Sequence, residues 1–373
     1  MALDKCLKPL TCNRCLKGRN LINQLKFDPK DGTVKRGDAR CLICEQITKA
    51  KDVRQLGQSQ QIGQRLIISI YQHPDQAGKS YRIATKADAE LYLKATKQLK
   101  ESLIAWPFLE SPLPTEEIPL MSGTFNVPIY GLDRWDRLFN QRQLLGITTL
   151  LRLIRQSDSE ISKECNQLKK ANLAKLPSDV KELNAVIMAY LAIMLDRIVD
   201  FGSTLCVLNS VGGRGVVHTF GRQALPMTWD YMESNIFNPA GASWFASISQ
   251  TIKVIEQLLF KTRINSTCTN QSANDLSLPD SSIDAIFTDP PYYNSVPYAD
   301  LSDFFYVWLK RTIPEQFPNL FATPVSPKAE EICEMAGWDS KRYAHKDKNF
   351  FESKISKAFI EIYRLLKPGG ITK

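Results

Sequence analysis

Residues 278–311 read LPDSSIDAIFTDPPYYNSVPYADLSDFFYVWLKR, the most informative segment of the chain. A turn at Pro279 to Ser282 leads into the apolar run Ile283 to Thr288, which has the length and composition of a strand. Asp289-Pro290-Pro291-Tyr292 follows at the strand's carboxyl end, the edge of an open α/β sheet where ligands bind. Asp300 to Arg311 predicts a helix with aromatics at Phe304, Phe305, Tyr306 and Trp308. The fold class implied is α/β.

Such a tetrad suits one chemistry in particular. The exocyclic amine of a nucleobase is a poor nucleophile because its lone pair is delocalised into the ring. An aspartate accepting one amine hydrogen, with a proline carbonyl accepting another, favours the pyramidal amine that can attack a methyl group. Two prolines fix the backbone and bring no amide donor, while Tyr292 offers a face on which an extruded base can stack.

Asn140 to Gln156 (with Asn140 as cap), Asp179 to Phe201 (with Ser178 as cap) and Trp244 to Phe260 all show helical spacing. The loop between the second and third helices carries His218, Arg222, Gln223, Trp229 and Asp230, which suit either a substrate groove or a surface loop with aromatic anchors. The glycine-rich Val211 to Gly215 neither follows a strand nor opens a helix, so it is not read as a phosphate cradle. Prolines at 107, 112, 114, 119 and 128 mark Trp106 to Pro128 as a linker. Before it, Ala87 to Leu103 is a helix and Arg65 to Tyr71 a strand or short buried helix.

Nine cysteines occur in the 373 residues, four of them in two CxxC pairs, Cys12/Cys15 and Cys41/Cys44. Two such knuckles supply the tetrahedral sulfur shell that zinc prefers, and Asp31-Gly32 between them reads as a hairpin turn. Two disulfides would be out of place in a reducing compartment. Residues 1–100 hold twenty Lys and Arg against nine Asp and Glu, leaving 28 against 30 for the rest. A phosphate-facing module shows such an imbalance, and so does a solvated basic surface. With 43% hydrophobic and 23% charged residues, collagen-like, disordered and disulfide-scaffold classes are excluded. The apolar run Val186 to Leu195 is far short of the roughly 18 residues of a membrane span. No apolar signal core opens the chain, so a cytoplasmic location is expected.

The residues quoted carry a resemblance. DPPY resembles motif IV of the amino-methyltransferases that modify adenine in DNA with S-adenosylmethionine. The ribbon cysteines, GLDRWDRLFNQRQLLGITTLLRLIR, HTFGRQALPMTWDY, the 278–311 run and the closing RLLKPGG are similar to the large adenine-specific DNA methylases that contain a zinc ribbon. The resemblance implies a partial Rossmann-like sheet with a helical insertion, and DNA, zinc and S-adenosylmethionine as partner and cofactors. It implies that Asp289, Pro290, Pro291 and Tyr292 hold the target base, with Tyr293, Asn294, Tyr298, Asp300 and Arg222 around it. Where the family has Gly-Asp-Ala this chain has Gln271-Ser272-Ala273, so Ser272 and Asp275 become the cofactor contacts.

The family's glycine-rich methionine loop has no counterpart in the sequence. A second chain is expected to supply it, both ends of the catalytic fold looking cut. The organisation implied is a zinc ribbon at 1–60, a small α/β extension at 61–105, the linker at 106–128, a mainly helical recognition region at 129–265 and the catalytic remainder at 266–373. The other reading is a non-catalytic zinc-ribbon protein that binds nucleic acid. Methylation of RNA or of a protein glutamine fits less well, because those sites more often begin their tetrad with Asn.

Overall fold

The computed structural model describes residues 32–41, 46–71, 73, 78–171, 179–209, 215–239, 241–259 and 266–373. Within them the chain is mixed α/β, with eight α-helices and small sheets.

The N-terminal part is a three-stranded antiparallel sheet, β1 (Val34–Lys35), β2 (Asp38–Arg40) and β3 (Ile47–Thr48), followed by α1 (Ala50–Gln58). The β1–β2 hairpin turns at Arg36 and Gly37, whose φ angles of 52° and 91° give the twist that two-residue hairpins favour. The observed hairpin turn lies five residues after the Asp31-Gly32 pair foreseen for it, and Asp31 falls outside the described residues. α1 docks backbone to backbone on the turn Val127–Tyr130: a Cβ on Gly57 would stand 2.4 Å from the Tyr130 carbonyl oxygen, and one on Gly131 2.0 Å from that of Gly57. Only glycine fits at either place. A hairpin, β4 (Ile68–Tyr71) with β5 (Ser80–Ile83), leads to α2 (Lys86–Ile104).

The proline-rich stretch 106–128 is not a free linker. Ile118, Met121, Phe125 and Val127 are buried in the main core, and Ile118 N–H donates to Asp133 O at 2.8 Å. Proline excludes regular elements without preventing an irregular strand from packing, and here apolar residues between the prolines reach the interior.

The body is helical: α2 packs on α3 (Gln141–Lys170), α3 on α4 (Val180–Asp200), and α4 on α5 (Trp244–Leu259) and α6 (Tyr298–Thr312). Asn140 caps α3 as expected, its side chain accepting from the Arg142 and Gln143 amides at 2.9 Å each while Gln143 returns a bond to the Asn140 amide. α3 runs past Gln156 to Lys170 because no Gly or Pro lies between those two residues and Ile161, Cys165 and Leu168 continue the apolar spacing. The cap of α4 is Asp179, which accepts from Lys181 N–H at 2.8 Å; Ser178 lies outside the described residues. A short pair, β6 (Val207–Leu208) and β7 (Val216–Val217), follows α4.

Phe304 of α6 is the hub of the core. Its ring meets Trp135, Phe139, Phe220 and Phe305 at centroid distances of 6.1, 6.1, 5.1 and 5.1 Å. Removing a ring so placed costs about 3–5 kcal/mol. Next along α6, Arg311 donates to both oxygens of Glu116 at 3.0 Å and to Ser111 O at 3.1 Å, stapling the proline-rich stretch to the helix.

The C-terminal part pairs β8 (Ile283–Ile286) with β9 (Leu366–Thr372) in parallel, the connection running through α6, the short α7 (Ser340–Tyr343) and α8 (Lys348–Leu365). β9 begins at Leu366 directly after α8, earlier than the Lys-Pro-Gly-Gly sequence suggests; a register shift between Ile283 and Ala285 absorbs the Pro-Gly-Gly. Among the described residues this sheet has two strands. No described helix is long and apolar enough to cross a membrane.

Candidate functional site

Asp289 stands just past the carboxyl end of β8, after Thr288, whose N–H still pairs with Lys373 O at 2.9 Å. Asp289, Pro290, Tyr292, Tyr293 and Asn294 are exposed, Tyr292 by 62%. Tyr293 packs edge-on against Phe351 of α8 at 4.9 Å, and Ser295 N–H closes a turn on Tyr292 O at 2.9 Å. The loop then enters α6, whose aromatic anchoring in the core fixes where the loop ends.

The floor of this loop is a buried polar cluster supplied by residues 326–346. Asp300 in the first turn of α6 has no solvent exposure, and both its oxygens accept from the Tyr343 hydroxyl, at 2.9 and 3.0 Å. Burial pushes the Asp300 carboxyl up to about 6, against the Tyr343 bond that favours the charged form. Glu331 accepts the Ala299 amide at 2.7 Å through one oxygen and the fully buried Lys346 ammonium at 3.2 Å through the other. Asp303 accepts from Ser326 N–H and from Lys328, both at 2.9 Å. Backbone bonds complete the joint: Glu334 N–H to Tyr293 O at 2.9 Å, and Met335 N–H to Lys346 O at 2.8 Å. Sequence reasoning missed all of 326–346, since nothing in its irregular pattern announces a partner; only the lone Trp338 stands out.

The sequence-predicted residues divide accordingly. Asp289, Pro290, Pro291, Tyr292, Tyr293 and Asn294 belong to one loop, and the exposed Tyr298 is the first residue of α6. Asp300, foreseen in the pocket, is inside the protein, because the first turn of α6 faces inward onto Tyr343. Arg222 is exposed two residues beyond Phe220, whose ring lies 5.7 Å from that of Phe305 on α6.

Ser272 and Asp275 are exposed and joined by an Asp275 N–H to Ser272 O bond of 3.1 Å; between them Asn274 Oδ1 is buried with no hydrogen-bond partner. A free buried acceptor beside two exposed polar residues fits a donor-bearing ligand such as an adenine or ribose. Arg364 of α8 holds this approach to β8, donating to Leu276 O at 3.0 Å and Leu278 O at 2.9 Å.

Of the four cysteines foreseen as zinc ligands, Cys12, Cys15 and Cys44 lie outside the described residues. Cys41 is exposed, and its N–H donates to Gln46 O at 2.9 Å. Among the described residues no group of three or more His, Cys, Asp or Glu side chains could hold a metal ion.

A groove of about 1710 Å3 lies elsewhere, between residues 57–70, α2, the start of α3 and the 227–237 loop. Trp229 and Asp230 line it; His218, Arg222 and Gln223 do not, and neither does any residue of the 289–300 loop. On its wall Arg142 grips Glu233 at 2.6 and 2.9 Å, and Asn140 donates to Tyr231 Oη at 2.8 Å. His218 instead sits 3.2 Å from Asp200, whose carboxyl burial pushes up and His218 pulls back down.

The chain matches no family model, no curated protein and no solved structure. The chain is a mixed α/β protein with an open loop at the end of a parallel strand pair.

Proposed function

We propose that this chain is the target-recognition and base-binding portion of an S-adenosylmethionine-dependent methyltransferase acting on the exocyclic amine of adenine in DNA. The observation that carries the reading is the placement of Asp289-Pro290-Pro291-Tyr292 at the carboxyl end of a parallel strand, with Asp289 and Tyr292 open to solvent. Asp289 and the Pro290 carbonyl accept the two amine hydrogens, and Tyr292 stacks on the extruded base. The cofactor supplies an electrophilic methyl group. With that methyl group in reach, Asp289 would take the amine proton as it becomes acidic and pass it to water. Ser272, Asp275 and the unpartnered Asn274 Oδ1 are the groups offered to the cofactor.

A second chain that adds strands and the methionine-binding loop belongs to this reading. It is supported by the two-stranded parallel sheet, since purely parallel sheets are normally covered on both faces, and by the exposed Phe287, Ile371 and Tyr363 around it. The N-terminal CxxC pairs make a zinc ribbon that adds a nucleic-acid surface. One feature favours the non-catalytic alternative: the large groove, with Tyr92, Tyr130 and Trp229 along it, could hold nucleic acid without the 289–292 loop.

The test is fluorescence anisotropy with adenine-containing duplex DNA, followed by calorimetric titration of S-adenosylmethionine with and without the product of a neighbouring gene. DNA binding weakened roughly tenfold by Tyr292→Ala, about the worth of one base stack, is the expected result. Binding that ignores both Tyr292→Ala and Asp289→Ala supports the groove instead.

A further inference from the structure

Segment 326–346 does more than form a floor. Its Glu334, Gly337 and Trp338 line a cleft of about 310 Å3 with Asn294, just past the DPPYY run, and with Ser122 of the proline-rich stretch. That volume is at the low end of ligand pockets, roughly 300–1,000 Å3, and suits a single planar heterocycle. The cleft is tied to the loop, because Glu334 N–H is bonded to Tyr293 O at 2.9 Å, while Trp338 N–H is bonded to Met335 O at 3.0 Å.

The walls are chemically specific. Trp338 is half-buried against the core and offers an indole face. The Glu334 carboxylate and the Asn294 amide make no hydrogen bond or ion pair among the described residues, so an acceptor and a donor are left for an occupant. A carboxylate beside an amide complements an exocyclic amine next to a ring nitrogen, the pattern of adenine and cytosine. The target amine has both its hydrogens engaged at Asp289 and Pro290 in the proposed reaction, so the cleft suits a different base.

We propose that the Asn294–Glu334–Trp338 cleft seats the base adjacent to the extruded adenine and selects one with an exocyclic amine beside a ring acceptor. This rests on the methyltransferase reading. Trp338 stacks on that base, and Glu334 accepts its amine hydrogen.

The full chain is presented with a duplex library in which a central adenine has randomised neighbours, and the bound fraction is sequenced. Wild type enriches adenine or cytosine at one flanking position. Glu334→Gln, whose amide can also donate, shifts the preference toward bases with a carbonyl, and Trp338→Ala weakens binding roughly tenfold, with Trp338→Phe restoring most of it. If Trp338→Ala fails to fold, Glu334→Gln decides the matter alone. Wild-type binding with no flanking preference, or a preference unchanged in Glu334→Gln, overturns the cleft assignment and leaves the methyltransferase reading in place. No binding of any library member overturns both.

Discussion

The Lys346 ammonium, with no exposure to solvent, lies 3.2 Å from Glu331, which through its other oxygen holds the Ala299 amide at the entrance to α6. A buried charge is tolerated only when paired, and this pair also ties two distant parts of the chain.

Lys346→Met leaves Glu331 without its cation, and the expected loss is about 3 kcal/mol. Urea denaturation measures it, and a midpoint equal to that of wild type would show that Lys346 is not buried as described.

Asp300 gives a pH dependence of unusual sign. Its folded value, about 6, is above the ordinary carboxylate value of 3.8, so between those two pH values the folded chain binds more protons than the unfolded one. Its contribution is most favourable below about pH 4 and is lost as pH rises through 6, a change of about 3 kcal/mol. Asp300→Asn keeps an acceptor for Tyr343. It should therefore raise stability at pH 8 while changing little at pH 4, read as melting temperature against pH.

Arg311→Met removes both bonds to Glu116 and leaves a partly buried carboxylate. About 2 kcal/mol of stability should go. Limited proteolysis should then find new cleavage between residues 106 and 128, where wild type is protected by its packing. Unchanged resistance would mean that the prolines and buried apolar side chains hold the stretch without the staple.

For the ribbon, metal analysis should give about one zinc per chain, and Cys12→Ser should lose it together with the N-terminal fold. Zinc content unchanged by that substitution removes Cys12 from the ligand set.

Local pattern made part of this molecule readable. The strand Ile283–Ile286, the cap at Asn140 and the aromatic helix after the tetrad all follow from spacing and side-chain chemistry within a few residues. What pattern could not show is tertiary. Prolines between 107 and 128 argue against regular structure and say nothing about whether Met121 and Phe125 reach the interior. Asp300 reads as a pocket carboxylate until Tyr343, far along the chain, is seen to hold it inside. The wall opposite Asn294 comes from a segment with no periodicity, so only the folded chain brings Trp338 to it.

The parallel pairing of β8 with β9 also has a bearing on synthesis. Residues 283–286 cannot find their partner until residues 366–372 have left the ribosome, so the edge that carries Asp289 forms only after the whole connection through α6, α7 and α8 has been synthesised. Until then an apolar strand waits uncovered, and the nascent chain passes through a stage at which chaperone capture competes with closure.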